Sequence, residues 1–215
     1  RIVWSGPWKG SGLNKARGPV SVMVAVAVAI AGAGCSDDGS KPSADKCENV
    51  SVPMIDIPTR TDQEPRMRIP QPQGWERTTK LDSETIRFAI RNPALAADGF
   101  TPNAVVTLQK IGLDVGKPKQ ILDAQNQQLQ MKLKVTDLKA TEGQVCGLSA
   151  EATTYTAPGM GKIPARKATS LATVYQGGDA NYVATVTVQA IKPDNETYAR
   201  DSQVIIKGFQ ILPPK

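Results

Sequence analysis

From residue 134 to residue 191 the sequence reads as a succession of strand-type segments: 134–146, 148–156, 168–175 and 182–191. They are joined by turn chemistry, Pro158-Gly159-Met160-Gly161 and Gly177-Gly178-Asp179 among them. Connections this short join antiparallel neighbours, because a parallel pair needs a crossover of about a dozen residues or more. An antiparallel meander is therefore predicted. In its last strand Tyr182, Ala184, Val186 and Val188 point one way, and Val183, Thr185, Thr187 and Gln189 the other.

The segments before the meander extend the pattern. Arg66-Met67-Arg68-Ile69-Pro70 is a short strand, and Gly74-Trp75 a turn that sets a large aromatic near the core edge. In residues 85–91, Ile86, Phe88 and Ile90 face one side, and Thr85, Arg87 and Arg91 the other. Residues 104–111 supply the next strand. Gly116-Lys117-Pro118 then opens a helix, with Ile121, Leu122, Gln125, Leu129 and Leu133 at helical spacing on its buried stripe. A closing helix begins near Pro193, capped by Asp194 or Asn195, and buries Tyr198, Ser202, Ile205, Ile206 and Phe209, with Gly208 at its stop. The predicted product over residues 64–215 is an α+β domain, a single antiparallel sheet of six to seven strands flanked by two helices.

The N-terminal part has another logic. Basic residues up to Arg17 are followed by an apolar run from Val20 to Ile30 and then Gly32-Ala33-Gly34-Cys35. This is the order of an export signal, and the run falls short of the ~20 residues that span a bilayer. A short buried core helix is the alternative. Small residues directly before Cys35 resemble the lipobox of bacterial lipoproteins, although Gly32 stands where Leu, Val or Ala is preferred. Residues 1–34 are thus expected to be a signal peptide, Cys35 the lipid attachment site, and residues 35–63 a polar linker. Ser36-Asp37-Asp38-Gly39-Ser40 cannot bury enough apolar area to fold and suits a leash. Val50 to Ile57 is apolar enough to lie against the domain, while Pro53 and Pro58 argue against a central strand there. The expected location is the cell membrane, lipid-anchored and facing outside the cytoplasm; plain secretion is the alternative.

Composition narrows the function. The chain has no histidine, which removes the commonest general base and zinc ligand. Of 26 basic residues four precede Cys35 with no acidic partner, leaving 22 against 20 acidic, so the net charge of +6 belongs to the leader more than to any nucleic-acid surface. Neither a catalytic constellation nor a metal or cofactor motif is present; Asp56, Asp62, Asp98 and Asp114 lie in separate loops. Asn49-Val50-Ser51 and Asn195-Glu196-Thr197 match the glycosylation sequon and are set aside, because a lipobox implies a bacterium.

With Cys35 assigned to lipid, Cys47 and Cys146 remain, and in an oxidising compartment they read as a disulfide, two free thiols being the alternative. Trp75, Tyr155, Tyr175 and Tyr182 are core residues or, alternatively, the wall of an apolar groove for a lipid or partner peptide.

The lipobox cysteine, the polar linker and three short motifs together resemble the LpqN/LpqT-type lipoproteins of mycobacteria. The motifs are the "IP.P.GW" opening (Ile69, Pro70, Pro72, Gly74, Trp75), the strand and helix from Ala104 to Leu133, and the "I.GF" ending (Ile206, Gly208, Phe209). The resemblance implies a PsbP-like fold and an accessory role at the cell envelope. It also implies mycolate and trehalose-lipid handling, through contacts with a lipid exporter or mycolyltransferase, and no catalytic residues. A carrier of lipid or glycolipid is the first alternative and a carboxylate-based enzyme the second.

Replacing the anchoring thiol, Cys35→Ala, is expected to move the protein from the membrane to the soluble fraction; retention on membranes after fractionation would refute the anchor.

Overall fold

The meander predicted for the second half of the chain forms, and earlier strands continue it on one side. The computed structural model describes residues 41–215; the leader, Cys35 and the Asp37-Asp38 leash lie outside the described residues. The described residues form ten strands: β1 (Met54–Ile57), β2 (Arg66–Pro70), β3 (Glu76–Arg77), β4 (Ile86–Arg91), β5 (Asn103–Ile111), β6 (Thr136–Val145), β7 (Leu148–Ala157), β8 (Arg166–Gln176), β9 (Asn181–Ala190) and β10 (Gln210–Leu212). The helices are α1 (Pro118–Leu133) and α2 (Glu196–Gly208). The α+β class and the antiparallel pairing are as expected, but the strands divide between two sheets. Seven run in the order β3-β4-β5-β9-β8-β7-β6, and three in the order β1-β2-β10.

The second sheet forms because the larger one has two apolar faces. Ala104 and Val106 of β5 and Ala184, Val186, Val188 and Ala190 of β9 are 0% exposed on the first face. They share one cluster with Ile57, Met67, Ile69 and Ile211 of the small sheet and Tyr198 and Ile205 of α2. Fully burying side chains such as Ile69, Ile205 and Ile211 stabilises the fold by about 1.5–3 kcal/mol each. On the opposite face α1 sets Ile121 and Leu122 over Ala172, Val174 and Val183. Its Leu129 packs against Val135, Tyr155 and Ala168.

Order thus begins well before residue 64. The described residues 41–215 belong to one compact unit, and β1 lies within the segment expected to be linker. Pro53 and Pro58 bracket β1, which is an edge strand paired only with β2, so the missing proline donors cost the ladder nothing. Gly208 ends α2 for a reason of space. A β-carbon there would stand 2.6 Å from Pro70 Cγ and 2.8 Å from the Val50 methyls, so the glycine lets the former linker and β2 close on the helix. Asn195 is the cap, its side chain accepting from the Tyr198 N–H at 3.0 Å.

The structure departs from the sequence pattern at two places. Ile86 pairs with Thr107 but Phe88 with Val106, so a bulge at Arg87 breaks the alternation and puts Ile86 and Phe88 on opposite faces. Arg87 is consequently buried. In α1, Leu133 is 57% exposed, because periodicity marks a stripe and not the length over which a neighbour covers it. The helix stops one residue later at Lys134, which is left-handed with φ 54°.

Cys47 and Cys146 are joined, with S–S 2.08 Å, across 99 residues of sequence, both buried in the main cluster. Cys146 sits in the two-residue β6–β7 turn with φ 51°, followed by Gly147 at 87°, the positive pair that tight hairpins require. The Ser43 N–H donates to the Cys146 carbonyl at 3.1 Å, which fastens the incoming chain to the same turn. The strand pairings Ile111↔Asn181, Gln176↔Asn181 and Val145↔Leu148 place this turn, the tip of the β8–β9 hairpin and the β5–α1 loop at one end of the large sheet. The β7–β8 loop lies at the other.

Either Cys47→Ser or Cys146→Ser is expected to abolish the mobility shift between reduced and non-reduced samples on electrophoresis. Each is expected to lower stability by about 2–5 kcal/mol in denaturant titrations; an unchanged midpoint would contradict this.

Candidate functional site

Of the four aromatics that the sequence offers as a groove, the fold brings together two. Tyr175 and Tyr182 are direct partners on β8 and β9, their ring centroids 6.5 Å apart and tilted by 45°. Trp75 lies away from them, 3% exposed, and its Nε1–H donates to Asp201 Oδ2 at 2.9 Å. Tyr155 is on the other face, over Ala168 in the cluster beneath α1. Strand parity separates Tyr155 from the other two, since residues 155 and 175 pair with opposite-facing positions of the sheet.

The tyrosine pair lines an open cleft of about 300 Å³ at the disulfide end of the sheet. Gly177, Gly178 and Asp179 of the hairpin form one wall, and Asp62, Gln63 and Pro214 the other. Both phenols are held above their ordinary range, chiefly by burial, with Glu64 and Asp179 adding to the effect at Tyr182. They therefore remain neutral O–H groups through physiological pH. A concave site with the half-buried Tyr175 ring and carboxylates at its rim can stack on a ring and accept from hydroxyl or ammonium donors. A second open cavity of about 210 Å³ lies by Leu81, Arg91 and Phe100.

One wall of the tyrosine cleft is held by a buried ion pair. Arg87 donates through Nη1 and Nη2 to Glu64 Oε1 and Oε2 at 2.9 and 2.6 Å, the side chains being 4% and 12% exposed. The Arg60 N–H adds a bond to Oε2 at 2.7 Å, while the Arg60 guanidinium donates to the Ser83 and Glu84 carbonyls. Burial opposes ionisation of Glu64, but the Arg87 and Arg60 hydrogen bonds outweigh it and hold the carboxyl below its ordinary value. Residues 60–64 are thereby fixed to β4, and with them Asp62 and Gln63.

Asp201 is the functional-looking carboxylate that sequence reading missed. It is 3% exposed, accepting from Trp75 on one oxygen and from Arg200 Nε and Nη2 at 3.0 and 2.9 Å on the other. Its signal was available: position 201 shares the stripe of Tyr198, Ile205 and Gly208, and a buried indole N–H requires an acceptor. Its two oxygens are occupied, which makes it a structural link between α2 and the β2–β3 loop. Among the described residues no group of three or more His, Cys, Asp or Glu side chains could hold a metal ion, and no helix is long and apolar enough to cross a membrane.

The sequence matches the family "Probable lipoprotein LpqN" over residues 45–212. The chain belongs to the LpqN family. Its two-sheet domain is similar to the crystal structure of LpqN from Mycobacterium tuberculosis, a protein described as involved in cell envelope biogenesis. Identity is 17%, with 76% of this chain and 93% of that one covered at a TM-score of 0.59, a likeness that shows the fold. The Ran-binding protein Mog1p of Saccharomyces cerevisiae aligns at 13% identity, TM-score 0.44, covering 76% of this chain and 97% of its own. No curated protein matches the sequence. The family match begins ten residues after Cys35 and includes both bridged cysteines. It thus takes in the LpqN domain's early part, where β1 and the cleft wall lie.

The lowered Glu64 value fixes the sign of a pH effect. The pair's contribution is present above the ordinary carboxyl value of 4.5 and is lost as the pH falls below it. Glu64→Gln should cost about 1–3 kcal/mol at neutral pH and flatten the acid limb of the stability curve; an unchanged limb in urea titrations across that range would refute the assignment.

Proposed function

We propose that this LpqN-family chain is a lipid-anchored accessory of the cell envelope that acts by binding rather than by catalysis. Cys35 holds it outside the cytoplasmic membrane, and its partners are envelope proteins such as a lipid exporter or a mycolyltransferase. The observation that carries the proposal is the family match over residues 45–212, set ten residues after a lipobox cysteine. The envelope-biogenesis role of the similar LpqN agrees with it. So does the packing: the face that could have formed a deep groove is filled by α2 and the small sheet, with the β9 row Ala184, Val186, Val188 and Ala190 wholly covered.

A second reading draws on the tyrosine cleft. Its ~300 Å³ is at the small end of ligand sites, so a glycolipid carrier of this kind would hold the headgroup and leave the acyl chains outside. Crosslinking in intact cells followed by mass spectrometry, together with lipid extraction of the purified protein, separates the two. Envelope proteins captured by the wild type and lost with Cys35→Ala support the accessory. A stoichiometric glycolipid, lost with Tyr175→Ala, supports the carrier instead. Capture of cytosolic proteins alone, with no bound lipid, would overturn both.

A further inference from the structure

We propose that the disulfide end of the domain is a membrane-contacting surface, with the β5–α1 loop as the element that enters the lipid interface. The proposal rests on the lipid-anchor reading of Cys35 and commits to one occupant, the surface of the bilayer that holds that lipid.

The leash between Cys35 and the domain is short. Ser43 is already hydrogen-bonded to Cys146, and Cys47 is covalently bound to it, so the chain is fixed to the β6–β7 turn eight residues after Cys35. Eight residues reach about 28 Å when fully extended and about 16 Å on average. The ten-residue strand β6 that leads away from this turn spans about 33 Å. With the far end of the sheet seated on the membrane, Cys146 would stand higher than the leash can reach. The disulfide end is the one the anchor brings to the bilayer.

The same end displays exposed apolar side chains. Ile111, the last residue of β5, is in register with Asn181 of the same end. The turn and this loop are separated by three to four strand spacings, roughly 14–19 Å. The loop that follows reads Gly112-Leu113-Asp114-Val115-Gly116, with Leu113 55% and Val115 51% exposed. The intervening Asp114 is also exposed, and its Oδ1 and a Val115 methyl lie 2.6 and 3.6 Å from where a β-carbon on Gly112 would stand. Two apolar side chains are thus exposed on a short tip, with the exposed Asp114 between them in sequence. Exposed Lys110 and Lys117 flank the tip in sequence, and such side chains can lie along an interface with the ammonium at headgroup level. Neither residue belongs to any core cluster of the domain, and α1 is anchored without them through Ile121 and Leu122.

The test uses the full processed chain, reconstituted into vesicles of phosphatidylglycerol and phosphatidylcholine brominated along its acyl chains. Tryptophan is placed at the tip (Leu113→Trp, with Val115→Trp as a second position) or at the far end (Met160→Trp, 66% exposed in the native chain). Trp75 is buried and gives a constant background. Vesicle flotation is measured in parallel, with Cys35→Ala as the unanchored control. Flotation together with about twofold stronger bromine quenching at position 113 or 115 than at 160 is expected, since interfacial groups lie within about 5–10 Å of the acyl boundary. Flotation with equal quenching at both ends would overturn the membrane-facing tip and leave the anchor standing. Failure of the wild type to float would overturn the anchor, and the proposal with it.

Discussion

One face of the seven-stranded sheet must be covered, and the layer that covers it comes from both ends of the domain. β1 and β2 come from residues 54–70, whereas α2 and β10 come from residues 196–212. They meet where β10 pairs with β2, Ile211 opposite Met67, directly over the row of small residues on β9. Ala184 and Ala190 are as necessary to this as the large residues, because they let the two layers close to core density without voids. The contacts are non-local, so their loop-closure cost is high, and the Cys47–Cys146 bridge reduces it by shortening the free chain in the unfolded state.

Polar groups enter this core only where they are paired. Trp75 and Asp201 join the β2–β3 loop to α2, and Glu64 and Arg87 join the β1–β2 loop to β4. Leaving either half alone would strand a buried polar group, which costs more than the bond itself contributes. The second pair has a consequence for binding. It immobilises the segment carrying Asp62 and Gln63, so the tyrosine cleft has one wall made by a strand hairpin and one by a loop fixed through an ion pair. Preformed walls lower the ordering cost of any ligand that enters.

Much of the large sheet was legible, because a meander is built of local signals: alternation, glycine turns and short connections. Both helices were legible for the same reason, including the Asn195 cap. Errors came where a neighbour overruled the local pattern. Alternation fails at Arg87 because a bulge there turns the guanidinium to Glu64, twenty-three residues away. Leu133 belongs to an apolar stripe, yet no partner extends to cover it. The stretch before residue 64 looked like linker because strand β1 has only four residues between two prolines, and its stability comes from β2 and from the face it covers. Of the proposed groove, Tyr175 and Tyr182 were joined by register, but Trp75 and Tyr155 were claimed by Asp201 and by α1.

By itself the sequence determined the class of the domain and most of its strands and helices, since each depends on residue type and short spacing. Tertiary structure alone decided that the strands form two sheets and that the chain is fastened at the same end of the sheet as the tyrosine cleft. Those outcomes depend on contacts between residues some 23 to 147 positions apart. No local pattern carries them, because the free energy that selects them appears only when the distant surfaces meet.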